Sequence, residues 1–152
     1  DLLTEYIGEH APAFAEDSVH LSMEKTNTTA KIRIDRGEFA RVLKNLWENS
    51  SKYRRGTEVR IQMSLREEGT QLAIRCDDDG TGVSAQDLPK LFDSFYRTDT
   101  ARTNVAGGSG LGLAIVRRIM TVFGGSTRAE ESPMGGLRIV LLLPIADEGD
   151  MK

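Results

Sequence analysis

Asn45, Asn49 and Lys52 stand at spacings of four and three, so on a helix they form one stripe. An amide oxygen is a neutral, hard ligand suited to a Mg²⁺ ion that keeps phosphate and water in its shell. A lysine one turn further on can neutralise phosphate oxygens. A solvated helix face has the same spacing, although two asparagines in mid-helix cost propensity. Asp78-Asp79-Gly80-Thr81-Gly82 forms a second group. A carboxylate at a strand end can accept a hydrogen bond from an exocyclic amine, and the glycines after it let a flat ring approach. An acidic turn is the alternative; a calcium loop is excluded because alternate carboxylates ahead of the glycine are missing. The third group, Gly107-Gly108-Ser109-Gly110-Leu111-Gly112-Leu113, opens an apolar helical stretch. Exposed N–H groups and the helix dipole make such an end an anion site, and a flexible linker is the alternative. It is neither a P-loop, lacking Gly-Lys-Ser/Thr, nor a dinucleotide fingerprint, because a loop and not a strand precedes it. Together the three groups have the parts that a magnesium nucleotide needs.

Few other residues compete for a chemical role. His10 and His20 have no partner pattern and read as surface residues, Cys76 as a core thiol, and Trp47 and Phe123 as packing residues. The chain has 152 residues, which suits one domain expected over residues 1–145, with a frayed polar tail at 146–152. A net charge of −3 gives no electrostatic case for nucleic-acid binding. The single cysteine excludes an internal disulfide and fits a reducing compartment. No apolar run approaches the roughly 20 residues that cross a bilayer. The start, Asp1-Leu2-Leu3-Thr4-Glu5, has no leader pattern or initiator methionine, and is expected to be a boundary or a processed end.

The elements that must position these groups follow from periodicity. Residues 2–14 are expected to be helical, with Pro12 near the end. Val19, Leu21 and Met23 alternate with polar residues, as do Ile32 and Ile34, which predicts two short strands joined by a polar turn at 25–29. Asp35 and Glu38 have the spacing of a capping box and open a helix to about Tyr53. Its apolar side carries Phe39, Val42, Leu43, Leu46 and Ser50. Val59 to Leu65 and Leu72 to Cys76 alternate on either side of Glu67-Glu68-Gly69 and predict a hairpin. A short helix is expected over 87–95 and a long loop over 97–109. A helix over 110–123 buries Leu111, Ile115, Ile119 and Phe123 and ends at Gly124-Gly125. The apolar run Leu137 to Leu143, ended by Pro144, predicts a central strand. This order predicts an α/β fold, a two-layer α/β sandwich with a mixed sheet and helices on one face.

Four segments, in order, resemble the motifs of sensor histidine kinases. Asn45-Leu46-Trp47-Glu48-Asn49-Ser50-Ser51-Lys52-Tyr53 is similar to the N box, Asp78-Asp79-Gly80-Thr81-Gly82 to the first glycine box, Leu91-Phe92-Asp93-Ser94-Phe95-Tyr96-Arg97 to the F box, and Gly108-Ser109-Gly110-Leu111-Gly112-Leu113 to the second glycine box. The resemblance covers roughly residues 35–145. It implies the Bergerat ATP-binding fold, ATP and Mg²⁺ as ligands, and transfer of the γ-phosphoryl group to a histidine on a separate dimerisation domain. It also assigns roles. Asn49 would ligate Mg²⁺, Asn45 would support the phosphate side, Lys52 would contact phosphate, and Tyr53 would pack near adenine or ribose. Asp78 would accept from the adenine N6 amine, with Gly80 and Gly82 making room. Gly108, Gly110, Leu111 and Gly112 would contact phosphates, Phe92 would belong to the F-box wall of the site, and Arg97 would lie near the lid and the phosphates.

Ser50 departs from the family's usual alanine and Asp79 from its usual asparagine. A second carboxylate beside Asp78 could raise the pKa of the first. Neither His10-Ala11-Pro12 nor His20-Leu21-Ser22 resembles the family's phosphoacceptor motif. The resemblance therefore implies as partners a dimerisation domain of the parent protein and a response regulator. It also implies a cytoplasmic domain of a parent that can be membrane-anchored and homodimeric, with this portion monomeric. Asn45 occupies the place where ATPases of the superfamily have a water-activating glutamate. An ATPase, an anti-sigma-type kinase or a non-catalytic nucleotide-binding module are the alternatives.

Overall fold

A computed structural model describes residues 2–24, 30–93 and 112–146. Asp35 caps the helix that the sequence predicts there. Its backbone is extended, and its side chain accepts the Glu38 N–H at 3.0 Å. The helix, α2, spans Arg36–Lys52 and buries Phe39, Val42, Leu43, Leu46 and Ser50 as expected, with Trp47 and Asn49 added. Ahead of it lie α1, Leu2–Glu16, which continues through Pro12, and strand β1, Val19–Met23. After it come β2, Val59–Glu68, β3, Gln71–Asp78, helix α3, Gly112–Val122, and strands β4, Ser126–Glu131, and β5, Leu137–Pro144.

The strands form one mixed sheet in the order β1-β2-β3-β5-β4. β1 runs parallel to β2 and the other pairs are antiparallel. Side chains alternate across the pleat, so Ile61 and Met63, Ile74 and Cys76, and Ile139 and Leu141 share one face. That face, α2 and α3 enclose a single core. Tyr6 of α1 lies 6.2 Å from the Phe39 ring, and Phe14 meets Trp47 edge-on at 5.7 Å. The layered architecture expected from the sequence is therefore present. No described helix is long and apolar enough to cross a membrane.

Several elements differ from expectation. The first two predicted strands do not form a hairpin: β1 pairs with β2, and Ile32 makes one bridge, to Ile145. Parallel neighbours need a crossover of a dozen or more residues, usually helical. The connection from β1 to its parallel neighbour β2 accordingly contains α2. β4 has no signal in the periodicity, because its sequence, Ser-Thr-Arg-Ala-Glu-Glu, is a polar edge strand without apolar alternation. The short helix expected over 87–95 is a single 3₁₀ turn at Leu88–Lys90, and positions beyond 93 lie outside the described residues. In α3 the buried positions are Leu113, Val116, Ile119 and Met120, while Ile115 and Phe123 are half-buried. That helix is apolar around much of its circumference, so periodicity alone could not select the inward face. The Gly124 and Gly125 N–H groups close its end onto Thr121 and Met120 carbonyls at 3.1 and 2.7 Å, as the sequence implies.

Leu46 is fully buried between the layers, whereas Asp35 acts at one exposed helix end. Urea denaturation should show Leu46→Ala losing about 2–5 kcal/mol. Asp35→Ala should lose about 1 kcal/mol. Equal losses would mean that the α2–sheet interface is not the dominant packing surface.

Candidate functional site

Asp78 ends β3 and, by alternation, faces the helix layer beneath α2. It is 1% exposed. Its Oδ1 accepts the N–H groups of Gly80 and Leu137, both at 3.0 Å. The Ser50 hydroxyl of α2 also favours the ionised carboxyl. Burial pushes the Asp78 carboxyl above the usual carboxylate range, and the two N–H groups and the Ser50 hydroxyl pull part of the way back. Asp79 adds to the rise, in the direction the sequence implies, and is the smallest contributor. Its side chain turns to the Arg60 N–H at 2.8 Å. Ser50, the second departure from the family pattern, thus supplies a donor that alanine lacks.

The loop after Asp78 packs onto the end of α2. The Thr81 N–H donates to the Tyr53 carbonyl at 2.7 Å. A Cβ at Gly80 would strike that same carbonyl oxygen, so only glycine fits. Gly82 has φ 72°, which explains the second glycine. Tyr53 is buried, and the contact it provides to this loop is its backbone carbonyl.

Further up α2, Asn49 is 9% exposed, and its Nδ2 is buried with no partner among the described residues. Asn45 donates through Nδ2 to the Arg41 carbonyl at 2.9 Å. Its Oδ1 abuts Gly112, where an added Cβ would lie 3.2 Å away. The amide stripe and the start of α3 are therefore brought together. Lys52 lies half-buried at the end of the same helix. Phe92 is buried in the core beside Leu91. Arg97, Gly108, Gly110 and Leu111 lie outside the described residues.

One wall of the site comes from a segment that carries no motif. The turn between β4 and β5, residues 132–136, lies against Asp78. The Gly136 N–H donates to the Asp78 carbonyl at 3.1 Å, and a Cβ on Gly136 would strike the carboxylate. Ser132 and Arg138 fasten this turn from the other side of the sheet, both donating to Asp77 Oδ1, at 2.7 and 2.8 Å. The signal available in the sequence was Gly135-Gly136 directly ahead of the apolar run that forms β5.

Cys76 is a core thiol, as expected. Burial pushes its pKa far up, the neighbouring carboxylates add to that, and it has no reactive thiolate.

Comparison with known proteins identifies relatives of the chain. The Escherichia coli K12 protein "Sensor histidine kinase CpxA" is 43% identical over 103 residues, covering 68% of this chain and 22% of its own length. "Sensor histidine kinase WalK" of Bacillus subtilis is 37% identical over 118 residues, covering 77% of this chain and 19% of its own. The chain thus spans about a fifth of the length of these curated relatives. The solved ATP binding domain of PrrB from Mycobacterium tuberculosis superposes with a TM-score of 0.73 at 26% identity, covering 97% of this chain and 93% of that one. The family model described as "Histidine kinase-, DNA gyrase B-, and HSP90-like ATPase" matches residues 34–147, three quarters of the sequence, and the chain belongs to that family.

Proposed function

We propose that this domain binds Mg-ATP and transfers its γ-phosphoryl group to a histidine on a separate dimerisation domain of a two-component sensor kinase. The observation that carries the reading is the buried Asp78 carboxylate, locked by the Gly80 and Leu137 N–H groups beneath the helix that bears Asn49, whose buried Nδ2 has no partner among the described residues. Asp78 accepts from the adenine amine while Gly80 and Gly82 leave room for the ring. Asn49 is the candidate magnesium ligand through its oxygen, a neutral hard donor, while its buried Nδ2, without a partner among the described residues, is free to donate to a phosphate oxygen. Mg²⁺, when bound, would offset phosphate charge. Asn45, Lys52 and the start of α3 hold the phosphate end, with Gly108, Gly110, Leu111 and Gly112 offering backbone N–H groups and Arg97 a guanidinium. Phe92, packed in the core, is proposed as part of the ATP site through the F-box resemblance.

In the transfer itself, the bond between the γ-phosphorus and the β–γ bridging oxygen breaks. A phosphorus–nitrogen bond to the acceptor imidazole forms, its N–H proton is lost, and ADP leaves. The chain supplies positioning and charge stabilisation. An amide at position 45 cannot abstract a proton from water, which supports a kinase over an ATPase. The acceptor domain and a response regulator are the partners, and the domain acts in the cytoplasm as a monomeric portion of a homodimeric parent.

Phosphotransfer is tested by mixing the chain with a dimerisation fragment of a related sensor kinase and γ-labelled ATP. Acid-labile, base-stable label on the fragment is expected. Absence of label despite ATP binding would favour a nucleotide-binding module, and hydrolysis at several turnovers per second by the chain alone would favour an ATPase.

Asp78→Asn keeps Oδ1 for the Gly80 and Leu137 N–H groups but replaces the second oxygen with a donor. Calorimetry should show ATP binding weakened about ten- to a hundredfold, the size of one charge-assisted bond of about 1.5–3 kcal/mol. Because the Asp78 pKa is raised, wild-type affinity should fall as pH drops through that raised value, earlier than for an ordinary carboxylate. The same raised pKa means that the ionised group costs folding stability, so stability should fall as pH rises from the unfolded pKa towards the folded one. Asp78→Asn should remove both dependences; if both persist, another group is titrating.

Asn49→Ala should abolish the dependence of ATP affinity on Mg²⁺ in titrations with and without the ion. An unchanged dependence would assign the metal to other ligands.

A further inference from the structure

Two consecutive arginines follow α2, and the structure gives them different tasks. Arg54 is half-buried and donates to the carbonyls of Ser51, Asp17 and Thr57 at 3.0, 2.9 and 2.8 Å, and to the Ser51 hydroxyl at 2.6 Å. It knits the end of α2 to the connection between α1 and β1. Arg55 is exposed and reaches the opposite way. Its Nε donates to the Gly80 carbonyl at 3.1 Å, and its Nη2 to the Gly135 carbonyl at 3.2 Å.

Both carbonyls belong to peptide units whose other end is already committed to the site. A peptide unit is planar, so fixing its C=O fixes the N–H of the next residue. The unit from Gly80 carries the Thr81 N–H, which donates to the Tyr53 carbonyl. The unit from Gly135 carries the Gly136 N–H, which donates to the Asp78 carbonyl. These units are rich in glycine, with Gly82 and Gly135 at φ 72° and 97°, and glycine loses the most backbone freedom when ordered. A guanidinium has a rigid planar fork of donors, which an ammonium lacks.

We propose that Arg55 is a positioning residue for the base end of the site, clamping the 78–82 loop to the 132–136 turn through these two carbonyls. It touches no reacting atom and acts through Asp78 and the glycines that frame it. Its consequence for ATP rests on the nucleotide reading above, whereas the clamp itself can be observed without ligand.

The test uses the full chain with Arg55→Ala, Arg55→Lys and Arg54→Ala. Amide hydrogen exchange in the ligand-free protein should show Thr81 and Gly136 losing protection in Arg55→Ala while the α2 and β5 amides keep theirs. Calorimetry should show ATP binding weakened about three- to tenfold in Arg55→Ala, a discounted value for exposed charge-assisted bonds. Arg55→Lys should recover only part of it. Arg54→Ala should instead lower the melting temperature and leave ATP affinity, measured well below that temperature, within about twofold. If Thr81 and Gly136 exchange as in the wild type, or if Arg55→Ala loses its fold, the clamp is overturned. If the wild type binds no ATP while the exchange pattern appears as expected, the nucleotide reading fails and the clamp stands.

Discussion

A carboxylate taken out of water is costly unless hydrogen bonds replace what the solvent gave, and the arrangement around Asp78 answers that requirement. Two backbone N–H groups donate to it, from its own loop and from the start of β5, and the Ser50 hydroxyl of α2 favours its charge. Each donor fixes a piece of chain that the site needs in place. Holding Oδ1 in this way leaves the function of the group to its remaining acceptor capacity. The crowding of Gly80 and Gly136 follows from the same constraint, because a side chain at either position would occupy space taken by the Tyr53 carbonyl or by the carboxylate itself.

α2 converts that local arrangement into an extended site. Asn45 abuts Gly112 at the start of α3, Ser50 reaches Asp78, and the Tyr53 carbonyl takes the Thr81 N–H. These contacts are spaced along one regular helix, whose rise sets the distances between them. The apolar positions of the same helix, from Phe39 to Leu46, anchor it to the sheet. The element that carries the polar stripe is thereby held by the hydrophobic core, and packing stability and site geometry are carried by the same residues.

The pleat gives two adjacent aspartates different work. Asp78 points into the layer under α2, whereas Asp77 points to the opposite face and pairs with Arg138 and Ser132. Ser132 begins the turn that also holds Gly135 and Gly136, so the second aspartate fastens from one side of the sheet a turn that the first uses on the other. Arg55 joins that turn to the 78–82 loop from the solvent side.

The sequence by itself determined the parts governed by short-range rules. The cap at Asp35, the inward face of α2, the β2–β3 hairpin and the glycines at 80 and 82 follow from spacing, periodicity and steric demands that act within a few residues. The four ordered motifs added the family. Tertiary structure alone decided the parallel pairing of β1 with β2, the inward face of the broadly apolar α3, and the strand status of the polar β4, because each depends on a partner distant in the chain. It also decided that Gly135, Gly136 and Leu137 close the site around Asp78. Backbone N–H groups are the same in every residue but proline, so which of them reaches a buried carboxylate is fixed by how the chain folds back and not by side-chain type.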